Sequence, residues 1–156
     1  TCPANIARLL GISIAPEEVL LFLTGDTFVL EGAAKSMQCR AGQYVVTLTG
    51  ADGNLQEIAY SIPEEDFEKP AEEQRLMLRR STQFGPEGNK LWEATYDEYA
   101  EVDGRSFPMK VRFVDEVNDA DTEVRVKSVK VDPTVPDDAF TQRPAPGMTV
   151  EIATCP

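Results

Sequence analysis

From Thr27 onward, apolar side chains return at every second residue, in one short run after another, and each run closes on a turn signal. A period of two marks strands with one buried face, and short turn-bounded runs pair as antiparallel neighbours. Residues 43–49 put Tyr44, Val46 and Leu48 on one face, and residues 56–62 do the same with Ile58, Tyr60 and Ile62. Gly50-Ala51-Asp52-Gly53 between them reads as a hairpin turn. Residues 74–82 follow, with Leu76 and Leu78 inward and Arg75 and Arg79 outward. Beyond a turn at 85–89, residues 90–99 carry Trp92, Ala94 and Tyr96 on one face. Asp103-Gly104 marks the next turn, and residues 107–114 set Met109, Val111 and Phe113 against Lys110 and Arg112. Residues 122–132 open with Val124 and Val126, then change parity to Val129 and Val131, which predicts a bulge near Ser128.

Ahead of these strands, residues 4–25 read as helix. Ile6, Leu9 and Leu10 share a face. Pro16 suits a first helical position, Glu17 and Glu18 favour the positive helix end, and Gly25 stops the run. The expected fold is mainly β (α+β): a curved antiparallel sheet or half-barrel of six or seven strands, with the helical segment covering its concave face. One domain spans residues 1–156, with helix at about 4–25, sheet at about 27–132, and a turn and tail at 133–156. No βαβ spacing is present, which argues against a parallel nucleotide-binding sheet.

Composition narrows the chemistry. The net charge is −12, so nucleic acid and anionic lipid surfaces are poor partners. There is no His, which excludes His-based triads, His zinc sites and His general bases. No apolar run approaches the roughly 20 residues of a membrane span. Thr1-Cys2-Pro3 lacks the features of a signal peptide, so a mature form or a fragment is expected. Cys2 and Cys155 share a Thr-Cys-Pro context, and a bridge between them would stabilise the chain by about 5 kcal/mol in the chain-entropy model. The alternative is three unpaired thiols. With the bridge formed, Cys39 is a free thiol or bonds outside the chain.

The carboxylates read mostly as surface. Residues 63–73 hold Pro63, Pro70 and six acids against Lys69 alone, and are expected to be a solvated loop. Residues 115–121 have oxygen ligands at calcium-loop spacing but lack the central Gly and closing Glu, so a plain polar hairpin loop is the better reading. Glu98, between Tyr96 and Tyr99, is the carboxylate to weigh for hydrolysis. With no nucleophile–base pair and no metal constellation, the expectation is a non-enzyme without cofactor or metal. What stands out is the apolar strand face. Tyr44, Val46, Leu48, Ile58, Tyr60, Leu76, Leu78, Trp92, Tyr96, Met109, Val111, Phe113, Val124 and Val126 are the candidate ligand-binding residues, whether they fill a core or leave a cavity for acyl chains.

Several motifs resemble, in order, a LolA/LolB-like bacterial lipoprotein domain. They are Leu9-Leu10-Gly11, Pro16 and Leu23-Thr24-Gly25; Gln74-Arg75-Leu76-Met77-Leu78; Tyr96-Asp97-Glu98-Tyr99; Val102-Asp103-Gly104-Arg105-Ser106-Phe107-Pro108; Val129-Lys130-Val131-Asp132; and Asp137-Asp138-Ala139-Phe140 with Pro144-Ala145-Pro146-Gly147. The resemblance implies an antiparallel half-barrel plugged by helices, and the C-terminal part of such a domain. It also implies a hydrophobic ligand, such as an acyl chain or lipoprotein, and a place in the periplasm or on the periplasmic face of the outer membrane. An adaptor lipoprotein subunit with a filled core is the alternative. The resemblance implies further strands before the position of Leu9; if they are absent, residues 43–49 or a neighbour would form an open edge, inviting an envelope protein partner there or at the acidic loop.

Overall fold

The computed structural model describes residues 16–31, 34–139, 141 and 144–149. Helix α1 spans Pro16–Thr24. Seven strands follow: β1 Ala34–Arg40, β2 Gln43–Thr49, β3 Leu55–Ser61, β4 Met77–Phe84, β5 Lys90–Val102, β6 Arg105–Asp115 and β7 Ala120–Arg125. They form a single antiparallel sheet in the order β1-β2-β3-β4-β5-β6-β7, a plain meander in which each strand pairs with its chain neighbours. The expected residues 4–15 of the helix, Cys2 and Cys155 lie outside the described residues.

Turn chemistry accounts for the meander. Ala41 and Gly42 both take positive φ (51° and 75°), as do Asp103 and Gly104 (50° and 73°), which is the two-residue turn that matches strand twist. Strand β1 is the element the alternation did not announce, because its turn uses Ala41 where Asn or Asp would be the recognisable signal. The β2–β3 strand pair places Tyr44 opposite Tyr60 and Val46 opposite Ile58, as the alternation requires. Strand β7 is shorter than expected. The ladder ends at Arg125, Val126 adds one N–H bond to the Met109 carbonyl, and residues 126–130 are not strand, so no bulge forms at Ser128. Register breaks lie instead in β4, where Arg79 is the extra residue between pairs Ala59–Arg80 and Tyr60–Leu78, and in β5, where Leu91 is the extra residue between pairs Gln83–Trp92 and Phe84–Lys90.

The sheet has two unlike faces. One carries ion pairs across β6 and β7, including Arg112–Asp121 and Lys110–Glu123 at 3.3 Å. The other buries Leu48, Ile58, Leu78, Trp92, Ala94, Tyr96, Val111 and Phe113, with Phe22 of α1 inserted among them. The Phe22 ring lies 5.8 Å from Trp92 and 5.4 Å from Phe113, and Phe28 lies tilted at 4.9 Å from Trp92 and 6.3 Å from Phe22. These centroid spacings fall in the favourable range for aromatic pairs.

Helix α1 stops where its chemistry requires. Gly25 takes φ +83°, its N–H bonds the Phe22 carbonyl, and the Asp26 N–H bonds the Leu21 carbonyl at 2.8 Å. Both bonds satisfy carbonyls that the helix end would leave open. A Cβ on Gly25 would sit 2.7 Å from Pro108 Cδ, so the same glycine lets the chain press onto β6.

Residues 26–30 then cross the buried face without joining the ladder, and side chains supply the missing bonds. Gln56 is fully buried. Its Nε2 donates to the Phe28 carbonyl (2.8 Å) and to Ser81 Oγ (3.1 Å), while its Oε1 accepts from the Leu30 N–H (3.1 Å). The Tyr96 hydroxyl donates to the Asp26 carbonyl (2.9 Å), and Thr27 Oγ1 bonds Ser81 Oγ (3.0 Å). The strap therefore exposes few unpaired backbone groups to the apolar interior.

Replacing Gln56 with Leu keeps the volume but strands the Phe28 carbonyl and Leu30 N–H. We expect a loss of about 1–3 kcal/mol, read as a lower urea midpoint with unchanged slope. Gly25→Ala combines a left-handed φ with the Pro108 clash and is expected to cost at least about 1–2 kcal/mol by the same measurement.

Candidate functional site

The aromatic core covers the sheet from β4 to β6, and the face is not filled towards β1. There an apolar pocket of about 300 Å³ is lined by Met37, Tyr44, Val46, Tyr60, Ile62, Ala71, Gln74 and Leu76. Strand pairing puts its floor together: Met37 lies opposite Val46, and Tyr44 opposite Tyr60. Met37 is 70% exposed, Leu76 59% and Tyr44 38%, so the pocket opens to solvent along a greasy rim. Tyr60 is half-buried, and burial with the nearby Asp26 carboxylate raises its hydroxyl pKa, keeping it neutral and a hydrogen-bond donor at neutral pH.

The candidate ligand-binding set therefore divides. Tyr44, Val46, Tyr60 and Leu76 line the pocket. Leu48, Ile58, Leu78, Trp92, Tyr96, Val111 and Phe113 are core, packed against Phe22. Met109, Val124 and Val126 share the same face near β7, partly buried and away from the pocket. Trp92 is further committed by its indole N–H, which donates to Gln83 Oε1 at 2.7 Å. The Tyr96 pKa is raised by burial. Leu76 corrects the expected strand boundary: β4 starts at Met77, and Leu76 belongs to the preceding segment.

That segment is the part the alternation missed. Residues 63–73 are not simply a solvated loop, since they hold two 3-10 turns, Glu64–Asp66 and Ala71–Glu73. Asp66 is fully buried. Its carboxylate takes Arg75 Nε at 2.7 Å and Nη2 at 3.1 Å, the Arg75 backbone N–H at 3.1 Å, and Lys69 Nζ at 2.5 Å. Arg75 reaches on to Glu65 at 2.9 Å and Glu101 at 3.2 Å, so it is not the outward strand residue expected. A forked guanidinium on a carboxylate fixes geometry as well as charge. This clamp holds Ala71, Gln74 and Leu76 over the pocket as its outer wall. The hydrogen bonds from Arg75 and then Lys69 hold the Asp66 carboxyl well below the usual carboxylate range.

The other carboxylates are structural or exposed. Glu98 takes φ 56°, points to solvent and pairs with Arg125 at 3.2 Å. Asp115 caps its own turn, accepting from the N–H groups of Val117 and Asn118, both at 3.0 Å. Its lone pairs are thus occupied by the loop itself. Among the described residues no cluster of three or more acidic or cysteine side chains is placed to hold a metal ion. Cys39 is exposed on β1, opposite Tyr44. Among the described residues the edge strand on this side is β1, the neighbour of residues 43–49. No helix among the described residues is long and apolar enough to cross a membrane.

A seven-stranded meander with one helix-covered face and an apolar pocket beside an edge strand defines a small β-sheet domain with a non-polar site. A family model described as "-like: Uncharacterized protein" matches residues 57–144, more than half of the chain, and the chain belongs to that family. The crystal structure of LolA superfamily protein NE2245 from Nitrosomonas europaea is similar over 75% of this chain and 53% of that one, with 12% identity and a TM-score of 0.37. This chain spans about half the length of that protein. No curated protein matches the chain.

Because the Asp66 pKa is lowered on folding, its contribution to stability is complete above the unfolded carboxylate pKa of about 3.9 and is lost as the pH falls towards the folded value. Asp66→Asn is therefore expected to be destabilised at pH 7, with the difference from the parent protein shrinking below about pH 4. Urea midpoints measured at pH 7, 5, 4 and 3 check this. An unchanged difference at pH 3 would show that the carboxylate charge is not what Arg75 recognises.

Proposed function

We propose that the protein is a non-catalytic binding domain that takes one apolar group in the pocket beside β1. The observation that carries this reading is the pocket itself, apolar, open and walled by the segment that the Asp66–Arg75 pair clamps. About 300 Å³ is at the small end of ligand sites, which suits one chain or ring rather than several. The absence of His from the sequence, and the exposed Glu98–Arg125 pair, support binding without chemistry. The order of motifs resembling LolA/LolB-like domains favours an acyl chain of a lipid or lipoprotein as the occupant. It also favours work in the periplasm or on the periplasmic face of the outer membrane, with an envelope protein as partner.

One observation favours a second reading. Phe22, Phe28, Trp92 and Phe113 fill most of the covered face. A domain so packed serves equally as an adaptor in an envelope assembly, with the pocket only a surface groove. Uptake of cis-parinaric acid separates the two. The carrier reading expects saturable fluorescence enhancement, lost in Val46→Trp, which fills the pocket from its floor, while the urea midpoint is kept. It also expects lipid in the native mass spectrum of purified protein. A clean mass and no parinaric acid uptake favour the adaptor.

A further inference from the structure

The pocket lies beside an edge strand of the described sheet. Strand β1 pairs with β2 over seven consecutive residues without a bulge, contains no Pro or Gly, and has no strand on its other side among the described residues. Side chains 35–40 are all exposed. The opposite edge is different: β7 is six residues long, and its Asp121, Glu123 and Arg125 are engaged in ion pairs. An unprotected edge offers a row of backbone donors and acceptors to an added strand.

Register determines what an added strand would present. Met37 lies opposite Val46, Lys35 opposite Leu48 and Cys39 opposite Tyr44, so Lys35, Met37 and Cys39 share the pocket face. A residue placed opposite Met37 from outside would have its Cβ within about 5 Å and its side chain on that face, at the pocket mouth. Two residues further along an antiparallel strand, the side chain would meet Lys35. Strand β1 carries Lys35 and Arg40 and no acid, in a chain of net charge −12. Arg40 turns to the other face and pairs with Glu57 at 3.0 Å, while Lys35 has no ion-pair partner among the described residues. A second copy of β1 would bring no acid to Lys35. An acidic strand is the complement.

We propose that β1 accepts an extended peptide as an eighth, antiparallel strand, with a large apolar residue seated at the pocket mouth opposite Met37 and an acidic residue two positions later opposite Lys35. Backbone pairing supplies adhesion, and the pocket and Lys35 supply selectivity. This rests on the pocket being open to an apolar group, and it names a peptide as the partner that delivers one.

The test uses the full chain and the labelled peptide Thr-Val-Thr-Phe-Thr-Glu-Thr in fluorescence anisotropy. Saturable binding is expected. Lys35→Glu should weaken it about threefold or more, and a peptide with Lys in place of Glu should regain that loss on the variant. Amide exchange should slow along residues 35–40 on binding. Replacing the peptide Phe with Ala, or filling the pocket by Val46→Trp, should also weaken binding. Equal affinity for the parent protein and Lys35→Glu, or slowed exchange at β7 in place of β1, would overturn the proposal. So would a β1-mediated dimer that excludes the peptide in light scattering. Parinaric acid uptake without peptide binding would overturn the peptide proposal while leaving the pocket reading intact. Peptide binding without uptake would support the strand and count against an acyl ligand.

Discussion

The side-chain amide of Gln56 is the contact on which the covered face depends. Residues 26–30 must lie over apolar side chains if Phe22 and Phe28 are both to reach Trp92, yet they join no ladder that would satisfy their backbone. Gln56 provides a donor to the Phe28 carbonyl and an acceptor for the Leu30 N–H, as a neighbouring strand would. Ser81 and Tyr96 extend the same arrangement to Thr27 and Asp26. Burial of this polar cluster is tolerable because its members bond one another or the strap, and the strap in turn leads the chain from the α1 terminus across the sheet.

A second polar arrangement shapes the site. Without the Asp66–Arg75 fork, nothing in the acidic composition of residues 63–73 would hold them against an apolar sheet face. With it, a segment of like charges becomes a wall, because one buried carboxylate collects Arg75 and Lys69 while the remaining acids face solvent. The pocket is thus bounded by two different devices: strand pairing for its floor, and an ion-pair clamp for its side. Strand β1, an edge strand among the described residues, adjoins the pocket floor, which is why a bound group and an added strand would meet there.

Much of this was legible in the order of residues. Alternation located β2, β3, β5 and β6 closely, and Asp103-Gly104 located a turn whose positive φ angles only small or Asx residues take easily. The positions of Tyr44, Val46 and Tyr60 on one face followed from the same count. Strand β1 escaped because its residues alternate poorly and its turn rests on Ala41 at positive φ. Leu76 was named for the apolar site it lines, but its place ahead of β4 escaped, because Arg75 looked like the polar half of a strand when its charge was answered by Asp66 nine residues earlier. Gln56 carried a readable sign: it occupies an apolar-face position in its strand, and a polar residue there has to find partners.

The sequence by itself determined the meander, since period-two patterning and local turn chemistry act over a few residues and need no distant partner. It also determined the strong negative charge and the exclusion of His chemistry. Tertiary structure alone decided which apolar residues became core and which became pocket. The two kinds are identical in local pattern. They differ in how fully Phe22 and Phe28, held over the sheet by the helix and the Gln56-bonded strap, cover them. Leu48 and Ile58 lie inside that cover and are buried, whereas on the same two strands Tyr60 packs only at its margin and Tyr44 stays exposed, and both line the pocket.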